Sequence, residues 1–161
     1  MKEIKLTQGK CTLVDDDDFD YLNQWRWYAI KHRNFFYAVR GARNNKKWCT
    51  IYMHREILKV INRKVLVDHR DHNPLNNCRE NLRIATPSQN CANCVAKKNG
   101  TSKYLGVYYR KGRDKWHAQI TKNYKIIYIG IFKNELEAAI AYNKRAIELH
   151  GEFANLNKIV I

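Results

Sequence analysis

The stretch from Lys64 to Asn93 constrains the fold of this chain more than any other. The run Lys64-Val65-Leu66-Val67 ends in Asp68-His69, and a long polar segment follows from Arg70 to Leu82. It leads into Ile84-Ala85-Thr86-Pro87-Ser88-Gln89-Asn90. The pattern predicts a strand, a long loop, a second strand and a helix. The loop is rich in asparagine and carries one proline, Pro74. A segment of that composition is ordered by its own side-chain hydrogen bonds or not at all. Ser88 stands where a helix beginning near Gln89 would need an N-cap.

The charge narrows the partners. The chain has a formal net charge of +15, and its first twenty residues carry three lysines against six acidic side chains. Residues 21–99 then carry +12 and residues 100–161 carry +6, so the basic character is spread over the last two thirds. A folded chain with such a field attracts polyanions and gains from counterion release on a phosphate backbone. Apolar residues, at 45 %, are enough to build a core and argue against wholesale disorder. No stretch has the length of an apolar membrane span or of a signal-peptide core. The expected location is therefore intracellular. Cys11, Cys49, Cys78, Cys91 and Cys94 suit a reducing compartment as free thiols. Cys91 and Cys94 make one C-x-x-C, but a structural zinc site would show two tidy pairs, so no structural Zn²⁺ is expected.

The organisation reads as α+β. Ile4-Lys5-Leu6 and Cys11 to Val14 bracket Gly9 as strand, turn and strand. Asp15 to Asp18 suit the N-terminus of a short helix, with Phe19, Leu22 and Trp25 at helical spacing. Strands are expected over 26–30, 35–39 and 48–52, with a turn over 41–47, and a short helix over 54–61. Residues 1–95 are expected to form a β-rich N-terminal domain whose strand–loop–strand–helix unit has its core at 53–95. Residues 96–102 have linker composition. Residues 103–157 make a second domain, a three-stranded antiparallel meander packed on one helix. Its strands are 104–110, 115–122 and 124–132, and its helix opens at Asn134 with Glu137 three positions on and stops at Gly151. Leu136, Ala139, Ile140, Ala146 and Ile147 form the apolar stripe expected to lie on the sheet.

Two groups of residues carry chemistry. Hydrolysis of a phosphodiester needs a deprotonated water, a cation on the phosphate and charge relief for the leaving oxygen. His69 can take the proton, because neutral imidazole is a competent base near neutral pH. Asp68 and Asn90 offer oxygen ligands to a hard cation such as Mg²⁺, or Mn²⁺ in its place. Neighbours on a regular strand point oppositely, so Asp68 and His69 share a site only where the strand ends or distorts. A surface pair in a hairpin would look the same over these two residues alone.

The wider pattern VDHRDHNPLNNCRENLRIATPSQNCAN, residues 67–93, preceded by Met53-His54-Arg55, resembles the His-Asn-Asn branch of the HNH endonucleases. That branch is found among phage and intron homing enzymes, and the resemblance implies the cytoplasm or nucleoid of a phage or bacterial host as the location. The resemblance implies a ββα-metal unit, His69 as general base, and Asp68 and Asn90 as metal ligands. It also implies that Asn81 is the central asparagine that steadies the loop and orients the histidine. His72 departs from the pattern, since many relatives carry a small residue such as glycine there, and it stands as a second candidate base or ligand.

The second group lies in the C-terminal sheet. Alternation puts Tyr108, Arg110, Lys115, His117, Gln119, Thr121 and Tyr128 on one face. Val107, Trp116, Ala118, Ile120, Ile127 and Ile129 fall on the other. A basic, aromatic sheet face can enter a major groove and hydrogen-bond bases, although many alternating polar faces are merely solvated. The segments Tyr104 to Arg110, Lys115 to Ile120, Tyr128 to Phe132, Glu137 to Tyr142 and Phe153 to Asn157 resemble the Apetala-two/ethylene-response-factor DNA-binding domain. That resemblance implies docking of the sheet in the major groove of double-stranded DNA. Leu105, Tyr108, Thr121 and Tyr128 replace contact positions of the plant domains, while Arg110 remains.

The expected function is that of a metal-dependent HNH DNA endonuclease targeted by its C-terminal sheet, with no membrane and no obligatory protein partner. The alternatives are a sequence-specific DNA-binding regulator on an inactive HNH scaffold, or an RNA-binding protein that stacks bases on its Tyr and Trp side chains.

Overall fold

Short apolar runs separated by turn residues build the strands of this chain, and the computed structural model describes residues 1–44, 47–95 and 100–159. The architecture is α+β, with four antiparallel sheets and four α-helices among the described residues. The chain divides into two compact units, Met1–Ala85 and Thr86–Ile161. Among the described residues no helix is long and apolar enough to cross a membrane.

The first unit opens with a hairpin of β1 (Lys2–Lys5) and β2 (Cys11–Val14), closed by Gln8 and Gly9 in the left-handed region. Asp15 then starts α1 (Asp16–Leu22), whose first turn holds Asp16, Asp17 and Asp18. No side-chain cap bond is made there, so these carboxylates act on the helix through its dipole. Trp27 Nε1 donates to the Leu22 carbonyl at 2.8 Å, which satisfies an orphan acceptor at the far end of α1. Strands β3 (Tyr28–His32), β4 (Phe35–Asn44) and β5 (Lys47–Tyr52) form a meander in that order. The turn expected over 41–47 is corrected in part, because Gly41 to Arg43 continue β4 and pair with Thr50 to Trp48. Helix α2 (Met53–Ile57) is also shorter than expected, ending before Lys59, whose φ is +54°.

Strands β6 (Leu66–His69) and β7 (Leu82–Ala85) pair antiparallel, with Asp68 opposite Arg83 and His69 opposite Leu82. The loop between them docks on β2: Leu13 donates to the Leu75 carbonyl and Asn77 to the Leu13 carbonyl, each at 2.8 Å. One core joins these parts. Ile4, Val14, Leu22, Trp27, Met53 and Leu82 are all buried in it.

The second unit begins with α3 (Pro87–Ala92). Thr86, not Ser88, is its N-cap: Thr86 Oγ1 accepts from Gln89 N at 3.3 Å and Gln89 Oε1 accepts from Thr86 N at 2.8 Å. The sequence contains that capping box, with Pro87 at the first helical position where its missing N–H costs nothing. Strands β8 (Val107–Arg110), β9 (Lys115–Lys122) and β10 (Lys125–Phe132) form an antiparallel sheet with β9 in the middle. Helix α4 (Glu135–His150) is capped by Asn134, whose Oδ1 accepts from Glu137 N at 2.8 Å.

The helix face on the sheet is corrected. Ala138, Ala139, Tyr142 and Ala146 are buried, whereas Ile140 and Ile147 are 49 % and 55 % exposed. Small residues let the helix backbone approach the sheet, and Tyr142 takes the space left over. Gly106 completes the fit: its φ is +73°, and a side chain there would collide with the Tyr142 ring and the Gln119 carbonyl. An extra residue at Ile129 shifts the register between Tyr128 and Gly130. This bulge keeps Ile129 and Phe132 on the core side with Val107, Ala118 and Ile120. Of the expected linker, 96–99 lie outside the described residues.

Candidate active site

Strand β6 ends at His69, and the pairing with β7 decides what its last two side chains meet. Asp68 faces its cross-strand partner. Arg83 Nε donates to Asp68 Oδ2 at 2.9 Å and the Arg83 guanidinium terminus lies 2.8 Å from the same oxygen. Both side chains are only 8 % exposed, so the pair is buried and each charge depends on the other.

His69 meets rings and an amide. Its imidazole packs edge-on against that of His54, with centroids 5.1 Å apart, and Tyr37 lies 6.5 Å away. Tyr37 and Tyr52 in turn flank His54 at 6.0 and 5.4 Å. Nε2 of His69 lies 3.4 Å from Oδ1 of Asn77. Burial pushes the His69 pKa down, and the Asn77 hydrogen bond and the Asp71 and Asp68 carboxylates offset this only in part. Burial, the neighbouring His69 and Arg55 push His54 further, to about 3. Both rings are therefore neutral near neutral pH, and His69 has the protonation state of a base.

The loop is held by its own polar side chains. Asn81 Nδ2 donates to Asp71 Oδ1 at 2.9 Å and to the Asn76 carbonyl at 2.8 Å, while Asn81 Oδ1 accepts from Asp71 N at 3.0 Å. Asp71 also accepts from Asn73 N and Asn76 Nδ2. Partial burial pushes the Asp71 carboxyl up, but these donors and the nearby His69 outweigh it and hold it below the usual carboxylate range. His72 sits at the tightest point, with φ +62° and its N–H on the His69 carbonyl at 3.1 Å.

The structure thus brings His69 and Asn81 into one loop network and ties Asp68 to Arg83. Asn90 stands exposed on α3, in the second unit, its N–H bonded to the Thr86 carbonyl at 2.9 Å. Residues the sequence did not single out for a role are Tyr37, Tyr52, Asn77 and Arg83. His54 had been quoted only as part of a motif. Each comes from a different element, and only strand register and loop docking bring them to the end of β6. The alternation of β7 was the one available signal, and it could have suggested Arg83 as a cross-strand partner.

In the second unit the outward sheet face carries Tyr108, Arg110, Lys115, Gln119, Thr121 and Tyr128 at partly or fully exposed positions. His117 lies on the same face but is 2 % exposed. It stacks against Tyr108, with centroids 5.3 Å apart, and its Nδ1 is 3.0 Å from the Tyr128 hydroxyl. Ile126 and Ile131, not foreseen on this face, are 66 % and 46 % exposed. The five cysteines are free thiols, Cys78 buried and Cys11, Cys91 and Cys94 exposed.

No family model matches the chain. It is 34 % identical over 158 residues to an uncharacterized HNH endonuclease of Acanthamoeba polyphaga mimivirus, an alignment covering 94 % of this chain and 77 % of that protein. It is also 36 % identical over 89 residues to Protein 3.8 of Escherichia phage T7, covering 55 % of this chain and 72 % of that protein. A strand ending in Asp-His, an asparagine-stitched loop and a relation of that extent define the class. The chain belongs to the HNH endonuclease family.

Proposed function

We propose that this chain is a metal-dependent DNA endonuclease of the phage or intron homing type, with His69 as its general base. The observation that carries the reading is the position of the His69 ring, buried at the end of β6 against His54 and Asn77. In the proposed step His69 takes a proton from water as the water oxygen forms a bond to phosphorus. The opposite P–O bond breaks, and the leaving oxygen takes up a proton from solvent. Asn81 holds the loop that carries the site by fixing Asp71 and Asn76.

Asp68 and Asn90 are the proposed ligands of a Mg²⁺ or Mn²⁺ ion. The donor chemistry suits such a cation, because each side chain offers a hard oxygen; Asp68 would have to share its carboxylate between the ion and Arg83. Among the described residues no three His, Cys, Asp or Glu side chains gather as a metal cage. Mg²⁺ is ordinarily held through one or two carboxylates plus water and substrate phosphate. When bound, the cation would neutralise charge on the phosphate and on the leaving oxygen.

The outward face of the second unit's sheet is the proposed DNA-reading surface, in the manner of the Apetala-two/ethylene-response-factor domains, docked in the major groove of duplex DNA. Arg110, Lys115, Gln119 and Thr121 supply donors and acceptors, and Tyr108 and Tyr128 supply ring faces. His117 supports both tyrosines from beneath. A single centre cuts one strand at a time, so nicking is the expected product of a monomer.

Incubation with supercoiled plasmid and Mg²⁺ should give the open-circular form, and chelation of the metal should abolish it. Cutting at full rate in excess chelator would overturn the metal-dependent reading. Binding to duplex DNA without cutting under any divalent metal would instead favour a DNA-binding regulator.

A further inference from the structure

We infer that Asn77, anchored by Thr12 of the N-terminal hairpin, is a positioning residue that fixes His69 in the tautomer with its proton on Nε2 and its lone pair on Nδ1. The inference rests on His69 being the base of the proposed reaction, but its geometry is independent of any activity.

The donors and acceptors around one amide fix its orientation. Asn77 and Thr12 are both fully buried, at 0 % exposure. Thr12 Oγ1 lies 2.7 Å from the Leu75 carbonyl and 3.9 Å from Met53 Sδ, both of which only accept, so the single hydroxyl proton of Thr12 is turned to them and not to Asn77. At 2.7 Å from Asn77, Thr12 Oγ1 can then only accept. The same end of the Asn77 amide lies 3.3 Å from the Pro74 carbonyl, another pure acceptor. That end of the amide must therefore be the NH₂ group, whatever the starting assignment of its nitrogen and oxygen. The other end is the carbonyl oxygen Oδ1, and it faces Nε2 of His69 at 3.4 Å. An oxygen with no proton asks for a donor, so Nε2 carries the hydrogen. In a neutral imidazole the second nitrogen, Nδ1, then holds the lone pair that accepts a proton.

The hairpin of residues 2–14 is thereby tied to the chemistry. Its strand β2 receives the loop through the Leu13 backbone and sets the amide through Thr12. Nothing in the spacing of the Asp-His and Asn motifs points to a threonine more than fifty residues upstream.

The test uses full-length protein with ¹⁵N-labelled histidine at neutral pH, observed by long-range proton–nitrogen correlation, with His69 assigned by its loss in His69→Ala. A pyrrole-type Nε2 and a pyridine-type Nδ1 are expected for His69 in the wild type. The opposite pattern would overturn the inference, and it would do so whether or not the protein cuts DNA. Conversely, a wild type that shows the expected pattern but cuts no DNA would sink the nuclease reading and leave this one standing. Asn77→Leu, which keeps bulk and removes the acceptor, should mix the tautomers and lower kcat about tenfold, the bias of one ordinary hydrogen bond, with KM unchanged. Thr12→Val should shift the tautomer ratio in the same direction, and Thr12→Ser should restore it. A folded Asn77→Leu or Thr12→Val protein with the wild-type tautomer would contradict the positioning role. If Asn77→Leu does not fold, the two Thr12 variants and the wild-type spectrum decide the matter.

Discussion

His72 illustrates how one backbone angle limits what a side chain can be for. Its φ of +62° is a conformation that costs a non-glycine residue roughly 1 kcal/mol. A small residue at this point, as the resemblance leads one to expect, would suit the turn on backbone grounds alone. His72→Gly is expected to leave cleavage unchanged and to hold or raise stability by up to about 1 kcal/mol, measured as a denaturation midpoint. Loss of cleavage with stability intact would put His72 into the reaction. His54 gives a second prediction at the same scale. Its pKa is held near 3 in the folded chain, well below the ordinary histidine value, so the unfolded chain binds the extra proton between about pH 6.5 and 3. Stability from this ring is complete above that window and is lost as pH falls through it, by about 1.4 kcal/mol per pH unit at the steepest. Since His69 shifts in the same direction, the wild type should lose stability steeply on acidification, and His54→Phe should flatten the slope. An equal slope in both proteins would contradict the assignment.

Elements were legible where their signals are local. The hairpins around Gly9 and Asn123, the Asn134–Glu137 helix start and the stop at Gly151 could all be read because cap and turn chemistry spans a few residues. The asparagine-rich loop was legible too, as a segment ordered by its own side chains, and Asp71, Asn73, Asn76 and Asn81 form that network. Faces were less legible. Two arcs of α4 carry apolar residues at helical spacing, and the choice of the alanine arc over Ile140 and Ile147 depends on how closely the sheet approaches. Partners across strands were least legible, as the Asp68–Arg83 pair shows, because register depends on the whole hairpin. That pair makes a prediction for the β6–β7 hairpin. Arg83→Met strands a buried carboxylate and should cost about 3 kcal/mol in chemical denaturation. A cost below about 1 kcal/mol would mean that Asp68 relaxes to water or to another partner.

At the scale of the molecule, each unit has its own buried core, and the net charge of +15 covers both. In the proposed reading the asparagine-stitched loop of the first unit carries the base, while the second unit carries the DNA-reading sheet and the proposed ligand Asn90. Arg110→Ala should weaken binding to a cognate duplex by about tenfold or more across a salt series. Nicking of plasmid at low salt and high protein concentration should persist in that variant. Affinity equal to wild type at every salt concentration would remove Arg110 from the reading surface.

If the buried ring at the end of β6 is the base of a phosphodiester cleavage, single-turnover cleavage of supercoiled DNA in Mg²⁺ should separate wild type from His69→Ala. The variant should lose at least about a hundredfold in rate, the usual contribution of a positioned general base, with DNA affinity retained. Equal rates in the two proteins would contradict that role.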